Sequence, residues 1–199
     1  MKHLKREQRD LLISWVTISL AFSLVLSENF LNFFSFFEAL PIAALGVGTG
    51  FILHELAHKY VAIHYGAHGE FRAWNIGLLL AIVLPVVTGL FGGRPFLFAA
   101  PGAVYIFGKE ISVKQNGLIS VAGPLTNVLL GVCFLFFGLL FSDSIFLFRL
   151  FSSVAQINFF LGFFNLIPIF PLDGSKVLAW NALVWALLFF PLLAWIFFF

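Results

Sequence analysis

Three polar residues that could perform catalysis lie inside an apolar stretch of the chain. His54, Glu55 and His58 form the pattern His-Glu-x-x-His. In a helix, residues four positions apart lie about 40° apart on one face, so both imidazoles can point at one ion. The glutamate can then act as a general base on a water, whose pKa a bound Zn²⁺ lowers to about 7. The spacing therefore predicts a zinc-dependent hydrolytic site.

These three residues also have a structural interpretation. They could mark a helix end in the headgroup region, or form a satisfied polar pair inside a helix bundle. Charged groups within a membrane are costly and are usually functional. Three polar groups at this spacing in an apolar run therefore favour the catalytic interpretation.

The predicted site needs a third metal ligand, and the nearest candidate is His64. It follows His54 by ten residues, as in the pattern HExxHxxGxxH, but Val61 stands where that pattern has glycine. If the helix continues, His64 lies about 80° from His54 and two turns away. We therefore expect His64, like His68, to be an interfacial residue.

Asp173 is the better candidate for the third ligand. It lies in NLIPIFPLDG, residues 165–174, where two prolines predict extended or irregular backbone over Ile167–Leu172. A membrane tolerates such backbone only where protein buries it or where it lines a wet cavity. An aspartate there is costly unless it pairs or binds metal, and a His₂Asp set leaves one position open for water. The structural alternative is that Asp173 caps the last helix, which is compatible with binding metal.

Asn165, at the start of the same segment, is a candidate second catalytic residue. Side-chain amides can donate a hydrogen bond to a developing oxyanion. The alternative is an ordinary hydrogen bond between helices.

The composition places these residues in a membrane. Of 199 residues, 61% are hydrophobic and 10% are charged, with a mean hydropathy of +1.05. Soluble domains carry about 25% charged residues, so a water-soluble globule is excluded, as is intrinsic disorder. The eleven Lys and Arg form no stripe that would indicate a nucleic-acid partner. Cys133 is the single cysteine, which excludes an intramolecular disulfide framework.

We predict an all-α membrane protein, a polytopic bundle of about five to six transmembrane helices with a small re-entrant β or irregular segment. One domain is expected over residues 1–199, in which residues 1–10 form a cytoplasmic N-terminus. The sequence predicts an interfacial segment at Asn29–Glu38 and long apolar stretches at Leu11–Leu26, Ala39–His64, Leu118–Phe141, Ile145–Leu166 and Val177–Phe199.

The re-entrant or hairpin segment is expected within residues 76–110. A shared metal site requires residues 59–116 to cross the membrane an even number of times, and Ile76–Phe91 is too short to span alone. It is therefore either re-entrant, or Pro95–Phe107 returns as extended chain. The β-branched and aromatic residues of Arg94–Lys114 favour strand or irregular backbone.

An extended segment at Phe96–Phe107 would have a strand edge. Such an edge could pair with a substrate unwound from its helix, because β-augmentation supplies main-chain hydrogen bonds with little sequence specificity. The alternative is that this segment only closes the bundle.

The positive-inside rule predicts a cytoplasmic N-terminus and an active site that opens towards the cytosol. Glu28, Glu38 and Arg149, beside Asp143, then lie outside, and the position of Arg94 depends on the fold of residues 76–107. The basic residues expected inside are Lys2, Lys5, Arg6, Arg9, Lys59, Arg72, Lys109, Lys114 and Lys176.

Three motifs in order, HELAHKY at 54–60, AGPLTN at 122–127 and FNLIPIFPLDGSK at 164–176, resemble the site-2 protease family of intramembrane zinc metalloproteases. The resemblance covers roughly residues 40–180. It implies one zinc held by His54, His58 and Asp173, with Glu55 as base and Asn165 assisting at the reacting carbonyl. It also implies cleavage of membrane-spanning protein substrates within the lipid bilayer.

The resemblance further implies that the helix carrying residues 122–127 packs beside the zinc. Asn127 could then support a ligand from outside. We favour the simpler interpretation, that Gly123 and Pro124 let two helices approach closely. Two departures from the family are a longer, more apolar segment at 76–110 and the lack of a PDZ-like insertion or C-terminal soluble domain in these 199 residues.

The leading hypothesis is an intramembrane zinc endopeptidase. A divalent-metal transporter or channel with a His/Asp site is the alternative, since broken helices at the membrane midplane are also typical of transporters. The chain lacks a repeat, and a transporter does not need Glu55. A metal-bound but inactive scaffold is a third possibility, although every catalytic position is filled.

Overall fold

The computed structural model describes residues 2–27, 32–92, 95–107 and 110–198. Glu28, Arg94 and Lys109, which the orientation prediction used, lie outside this range, as do Met1 and Phe199 at the ends of predicted segments. A π-helical turn, Gly48–Ile52, joins α2 to α3. The elements are α1 (Lys2–Leu26), α2 (Phe33–Val47), α3 (Leu53–His64), β1 (His68–Ala73), α4 (Asn75–Gly92), β2 (Gly102–Phe107), α5 (Val113–Leu140), α6 (Ile145–Asn165), α7 (Asp173–Trp180) and α8 (Ala182–Phe198).

Four helical segments of the described chain are long and apolar enough to cross a membrane: Arg6–Leu26, Phe33–His64, Val113–Leu140 and Ile145–Asn165. Asn75–Phe91 and Ala182–Phe198 are shorter apolar helices. The predicted polytopic helical bundle with a small β segment is confirmed.

The hydrophobic core lies where α1, α2 and α6 meet the sheet. Small residues let these elements approach, as at Gly46 in α2, where a Cβ atom would collide with Ile157 of α6. Phe71 of β1 is almost fully buried in this core, with its ring edge-on to Phe51 at a centroid distance of 5.4 Å. The core therefore fixes the sheet to the helices that surround the π-helical turn.

The N-terminal residues belong to the bundle. From Lys2 onward they form the first turns of α1, and the side chains of Glu7 and Asp10 are buried. The sequence analysis treated residues 1–10 as a polar N-terminus preceding the span. Composition does not predict that two acidic side chains of such a charged segment are buried. Acidic side chains are buried only where specific partners are present, and composition does not identify those partners.

The predicted interfacial segment at Asn29–Glu38 is helical from residue 33 onward. The helix α2 begins at Phe33, and its N-cap Asn32 accepts hydrogen bonds from two backbone N–H groups. Through the π-helical turn α2 continues into α3, so Phe33–His64 forms one candidate span. Asparagine is a preferred helix N-cap, so Asn32 is a sequence signal for the start of α2 that was overlooked.

The segment after α3 contains a strand that the sequence analysis did not predict. β1 pairs antiparallel with β2, with Phe71 opposite Val104 and Ala73 opposite Gly102. In the chain between the two strands lies α4, whose 18 residues give a helix about 27 Å long at about 1.5 Å per residue. Residues 95–101 have no regular secondary structure and return beside it, since the N–H of Phe96 donates to Thr88 Oγ1 and that of Trp74 donates to the carbonyl of Pro101. The second predicted alternative was a return of Pro95–Phe107 as extended chain; the structure has a strand over Gly102–Phe107 and irregular backbone over residues 95–101.

The predicted last span, Val177–Phe199, is wrong as a single helix. It is broken at Asn181, whose backbone is extended and whose Oδ1 accepts from the N–H groups of Leu183 and Val184 at the start of α8. The first piece, α7, begins at Asp173 and packs against α5. This break gives the candidate ligand a short helix of its own.

Candidate metal centre

The histidines and the glutamate of the first motif lie at the start of α3. The preceding π-helical turn, where the helix is wider, brings α3 against α5 and directs this face inward. His54, Glu55 and His58 are only 3%, 9% and 5% exposed. The two predicted ligands therefore share a buried face, as the four-residue spacing requires.

Asp173 is delivered by the irregular segment between α6 and α7. The segment 166–172 consists of turns and bends, as its two prolines predict. Trp185 Nε1 donates to the carbonyl of Leu166 at 2.8 Å, and Lys176 Nζ donates to the carbonyl of Pro171 at 3.1 Å. These bonds hold the backbone on both sides of the turn. Gly174 is required there, because a Cβ atom would overlap the carbonyl of Leu166.

The alternative role of Asp173 as a helix cap is wrong. The N-cap of α7 is Leu172, without a side-chain cap, and Asp173 is the first helical residue. Its carboxylate points at the histidines instead of at the helix's own N–H groups.

The three predicted ligands converge. Asp173 Oδ2 lies 3.0 Å from His58 Nε2 and 3.3 Å from His54 Nε2, and the two Nε2 atoms are 2.9 Å apart. Their ligand atoms all lie within 4.8 Å of one another, so the group could hold a metal ion. His64 and His68 are exposed and do not join the cluster.

The hydrogen bonds on the far side of each imidazole fix which nitrogen carries the proton. His58 Nδ1 lies 2.7 Å from the carbonyl of Ile119, which can only accept, so this nitrogen donates. His54 Nδ1 lies 2.6 Å from Asn127 Oδ1. Asn127 Nδ2 donates to the carbonyl of Gly50 at 2.8 Å, which fixes the amide orientation. His54 Nδ1 therefore also donates.

In neutral imidazoles with protonated Nδ1, each Nε2 presents a lone pair. Two lone pairs and a carboxylate oxygen then face one another in a buried space, which is repulsive unless a cation joins them. Nitrogen and carboxylate oxygen are ligands that Zn²⁺ accepts, and the orienting bonds on Nδ1 are typical of metal-bound histidines. The donor set therefore fits a zinc ion.

Asn127 has the supporting role that the sequence analysis ranked second. It is fully buried and bonds both the ligand His54 and the π-helical turn that precedes it. The favoured interpretation of close helix packing also applies, since a Cβ atom on Gly123 would lie 2.5 Å from the Nε2 atoms of both histidines. Gly123 therefore keeps open the space into which the ligands point.

Glu55 and Asn165 line the same cavity of about 480 Å³ as the three ligands. Glu55 Oε2 is buried and has no hydrogen-bond partner among the described residues. Asn165 Nδ2 donates to the carbonyl of Leu161 at 3.0 Å within its own helix. The predicted interhelical hydrogen bond of Asn165 is thus replaced by one within α6. An amide NH₂ has two hydrogens, so a second donor is left.

The cavity also has a wall that the sequence analysis described only as a possible strand edge. Residues Gly102–Tyr105 of β2 line it opposite the turn Phe170–Leu172. The metal group and the sheet therefore border one space.

The substitution Gly123→Ala should remove bound zinc, because the added methyl group would occupy the space between the two Nε2 atoms. We expect a loss of zinc affinity of about tenfold or more, measured as zinc per chain in detergent-purified protein. Gly138→Ala, on the same helix, is the matched control, since its nearest contact would be Ser152 Oγ at 3.1 Å. Equal zinc content in both variants would contradict this placement of the metal.

Comparisons with known proteins agree with this geometry. The model of peptidase family M50 matches residues 142–188. A Methanocaldococcus jannaschii protein named "Putative zinc metalloprotease MJ0611" is 42% identical over 191 residues, which cover 96% of this chain and 93% of that protein.

Two further relatives match over shorter lengths. The "Zinc metalloprotease MJ0392" of the same organism is 32% identical over 64% of this chain and 30% of its own length. The Bacillus subtilis protein "Putative zinc metalloprotease YwhC" is 30% identical over 70% of this chain and 68% of its own length. No solved structure matches the chain significantly. The sequence resemblance is thereby confirmed: the chain belongs to peptidase family M50, the site-2 protease family of metalloproteases.

Proposed function

We propose that this protein is an intramembrane zinc endopeptidase that hydrolyses peptide bonds in membrane-spanning substrates. The observation that supports this most directly is the convergence of His54, His58 and Asp173 in a cavity that Glu55 also lines. Membership of a metalloprotease family supports the reaction class. The four candidate spans support an integral membrane location.

In this proposal the three ligands, Glu55 and Asn165 each have one chemical role. His54, His58 and Asp173 would hold the zinc ion, which when bound would lower the pKa of a water and polarise a carbonyl. Glu55, whose Oε2 has no hydrogen-bond partner in the described structure, accepts a proton from the attacking water and later delivers it to the leaving amine. Asn165 uses its second N–H to donate to the carbonyl oxygen as negative charge develops there.

The substrate must be extended at the cleaved bond, and the outer edge of β2 is suited to hold it. The backbone N–H of Phe71 in β1 donates to Glu7 Oε1 at 3.2 Å, so the backbone N–H and carbonyl of Phe71 point away from β2. In an antiparallel pair, directly opposite residues share their orientation. Val104, opposite Phe71, therefore directs its backbone N–H and carbonyl away from β1. Val104 also lines the cavity. A substrate strand would pair there by β-augmentation.

The proposed orientation follows the positive-inside rule, with the N-terminus and the opening of the site on the cytosolic side. Lys59 directly follows His58 in sequence, and Lys176 follows Asp173 by three residues and lines the cavity together with Arg72 of β1. Water then reaches the cavity from the cytosol.

The substitution Glu55→Gln should leave zinc bound and lower kcat by a factor of about 10² to 10⁴, because an amide cannot accept the proton. Zinc content and cleavage of single-span peptides with a central Gly-Gly pair, read by mass spectrometry in detergent, check this. Asp173→Ala is the companion variant and should lose the metal. Retained turnover, or zinc flux in vesicles that Glu55→Gln leaves intact, would favour the transporter alternative.

The substitution Asn165→Leu should lower kcat by a factor of about 10² to 10³ without changing zinc content, since it removes the proposed oxyanion donor. Asn158→Leu tests an asparagine two turns earlier on the same face of α6, whose amide donates to the carbonyl of Val154 and which does not line the main cavity. Equal kcat losses for the two variants would indicate that Asn165 acts only through packing.

The substitution Val104→Pro should raise KM about tenfold with zinc content and melting temperature retained, because it removes an outward N–H that β1 does not use. Ala103→Pro is the matched comparison. It removes an N–H directed at β1 and should lower the melting temperature. Cleavage by Val104→Pro with an unchanged KM would exclude substrate pairing on this edge.

A further inference from the structure

Glu7 is a buried acid whose carboxylate, among the described residues, is hydrogen-bonded to groups outside its own helix. Its side chain is 6% exposed, and each carboxylate oxygen accepts from Lys59 Nζ at 2.9 Å. Oε1 also accepts the backbone N–H of Phe71 at 3.2 Å. One carboxylate of α1 therefore joins α3 to β1.

The two groups that Glu7 joins belong to the two halves of the cavity. Lys59 directly follows His58, one of the metal ligands, on α3. Phe71 is opposite Val104, whose residue lines the cavity from β2. Beside the direct contacts of α3 with both strands, the candidate metal-binding helix is thus linked to the sheet by one ion pair and one backbone hydrogen bond to the same carboxylate.

Glu7 also determines which outer edge of the sheet is free to pair with a further strand. A two-stranded sheet has two outer edges, and an unpaired edge attracts further strands. At Phe71 the outer edge of β1 is bonded to Glu7 and packed against α1. In the described chain, the outer edge of β2 has no strand partner.

A buried ion pair is a poor source of net stability, because desolvating both charges offsets their attraction. Glu7 and Lys59 are better explained by specificity of position, since Lys59, whose side chain is 25% exposed, cannot move away without leaving the buried carboxylate of Glu7 without its cation. The geometry points to Glu7 as a positioning residue that fixes the distance between the metal-binding helix and the strand edge where the substrate pairs. This inference rests on the proposed function for the role of that edge.

The distance itself can be measured without a substrate. In a Cys133→Ser background, spin labels at two exposed positions, Tyr60→Cys on α3 and Phe107→Cys on β2, report it by pulsed electron paramagnetic resonance. Glu7→Gln offers one carbonyl oxygen in place of two charged ones and puts an NH₂ group next to Lys59. We expect the distance distribution to broaden or shift by about 2 Å, a displacement that catalysis does not tolerate.

Asp10→Asn is the matched control. Asp10 is on the same helix, is buried to the same extent and has its ion-pair partner, Arg9, on α1 itself. It should leave the distribution unchanged. If Glu7→Gln fails to fold, judged by its melting temperature, Lys59→Gln tests the same pair from the other side. Distributions that match the Asp10→Asn control would overturn the inference.

Activity supplies a second readout that separates this inference from the proposed function. With single-span peptides that carry a central Gly-Gly pair as the probe, Glu7→Gln should lower kcat about tenfold or more, with KM within about twofold and zinc content unchanged. Loss of zinc in Glu7→Gln would contradict a role confined to positioning the strand edge relative to α3. If the wild-type protein cleaves no peptide, the proposed function fails, and the distance measurement still decides the role of Glu7.

Discussion

The meeting of two imidazole nitrogens and a carboxylate oxygen in a buried space is the constraint on which the rest of the structure depends. Each far-side hydrogen bond, from His54 to Asn127 and from His58 to the carbonyl of Ile119, holds the proton away from this space. The three inward atoms then repel one another unless a cation is present. The helices around them must therefore resist separation, and Asn127 contributes by bonding α3's ligand and the π-helical turn at once. The same hydrogen bonds therefore support both metal binding and the packing of these helices.

A membrane adds a second constraint, because irregular backbone must find its hydrogen bonds inside the protein. Both non-helical segments that border the cavity meet this demand with specific hydrogen-bond partners. Trp185 satisfies the carbonyl of Leu166 before the turn that carries Asp173. Thr88 and the carbonyl of Pro101 hold the two ends of the chain that returns beside α4. The segments that break helical regularity are thus the ones that bring the ligand and the strand edge to the metal.

The grouping of His54, His58 and Asp173 could be predicted from the sequence because its signals are local. The spacing of His54 and His58 specifies one helix face, and the prolines around Asp173 specify irregular backbone wherever they occur. β1 could not be predicted, since HGEFRA has no clear alternation and is a strand only through pairing with residues about 30 to 40 positions away. The buried state of Glu7 was missed for the same reason. Its partners, Lys59 and Phe71, are distant in sequence, and composition alone made residues 1–10 resemble a solvated end.

The sheet offers a physical solution to the main difficulty of proteolysis within a bilayer. A substrate helix that unwinds exposes backbone groups, each of which costs several kcal/mol in a medium without water. The outward N–H and carbonyl of Val104 and its alternating neighbours on β2 can replace the lost bonds one for one. Because such pairing reads backbone and not side chains, the proposed enzyme would select substrates by how readily their helices unwind. Selection of that kind requires the strand edge to lie at a fixed distance from the metal, since the edge determines which peptide bond reaches Glu55.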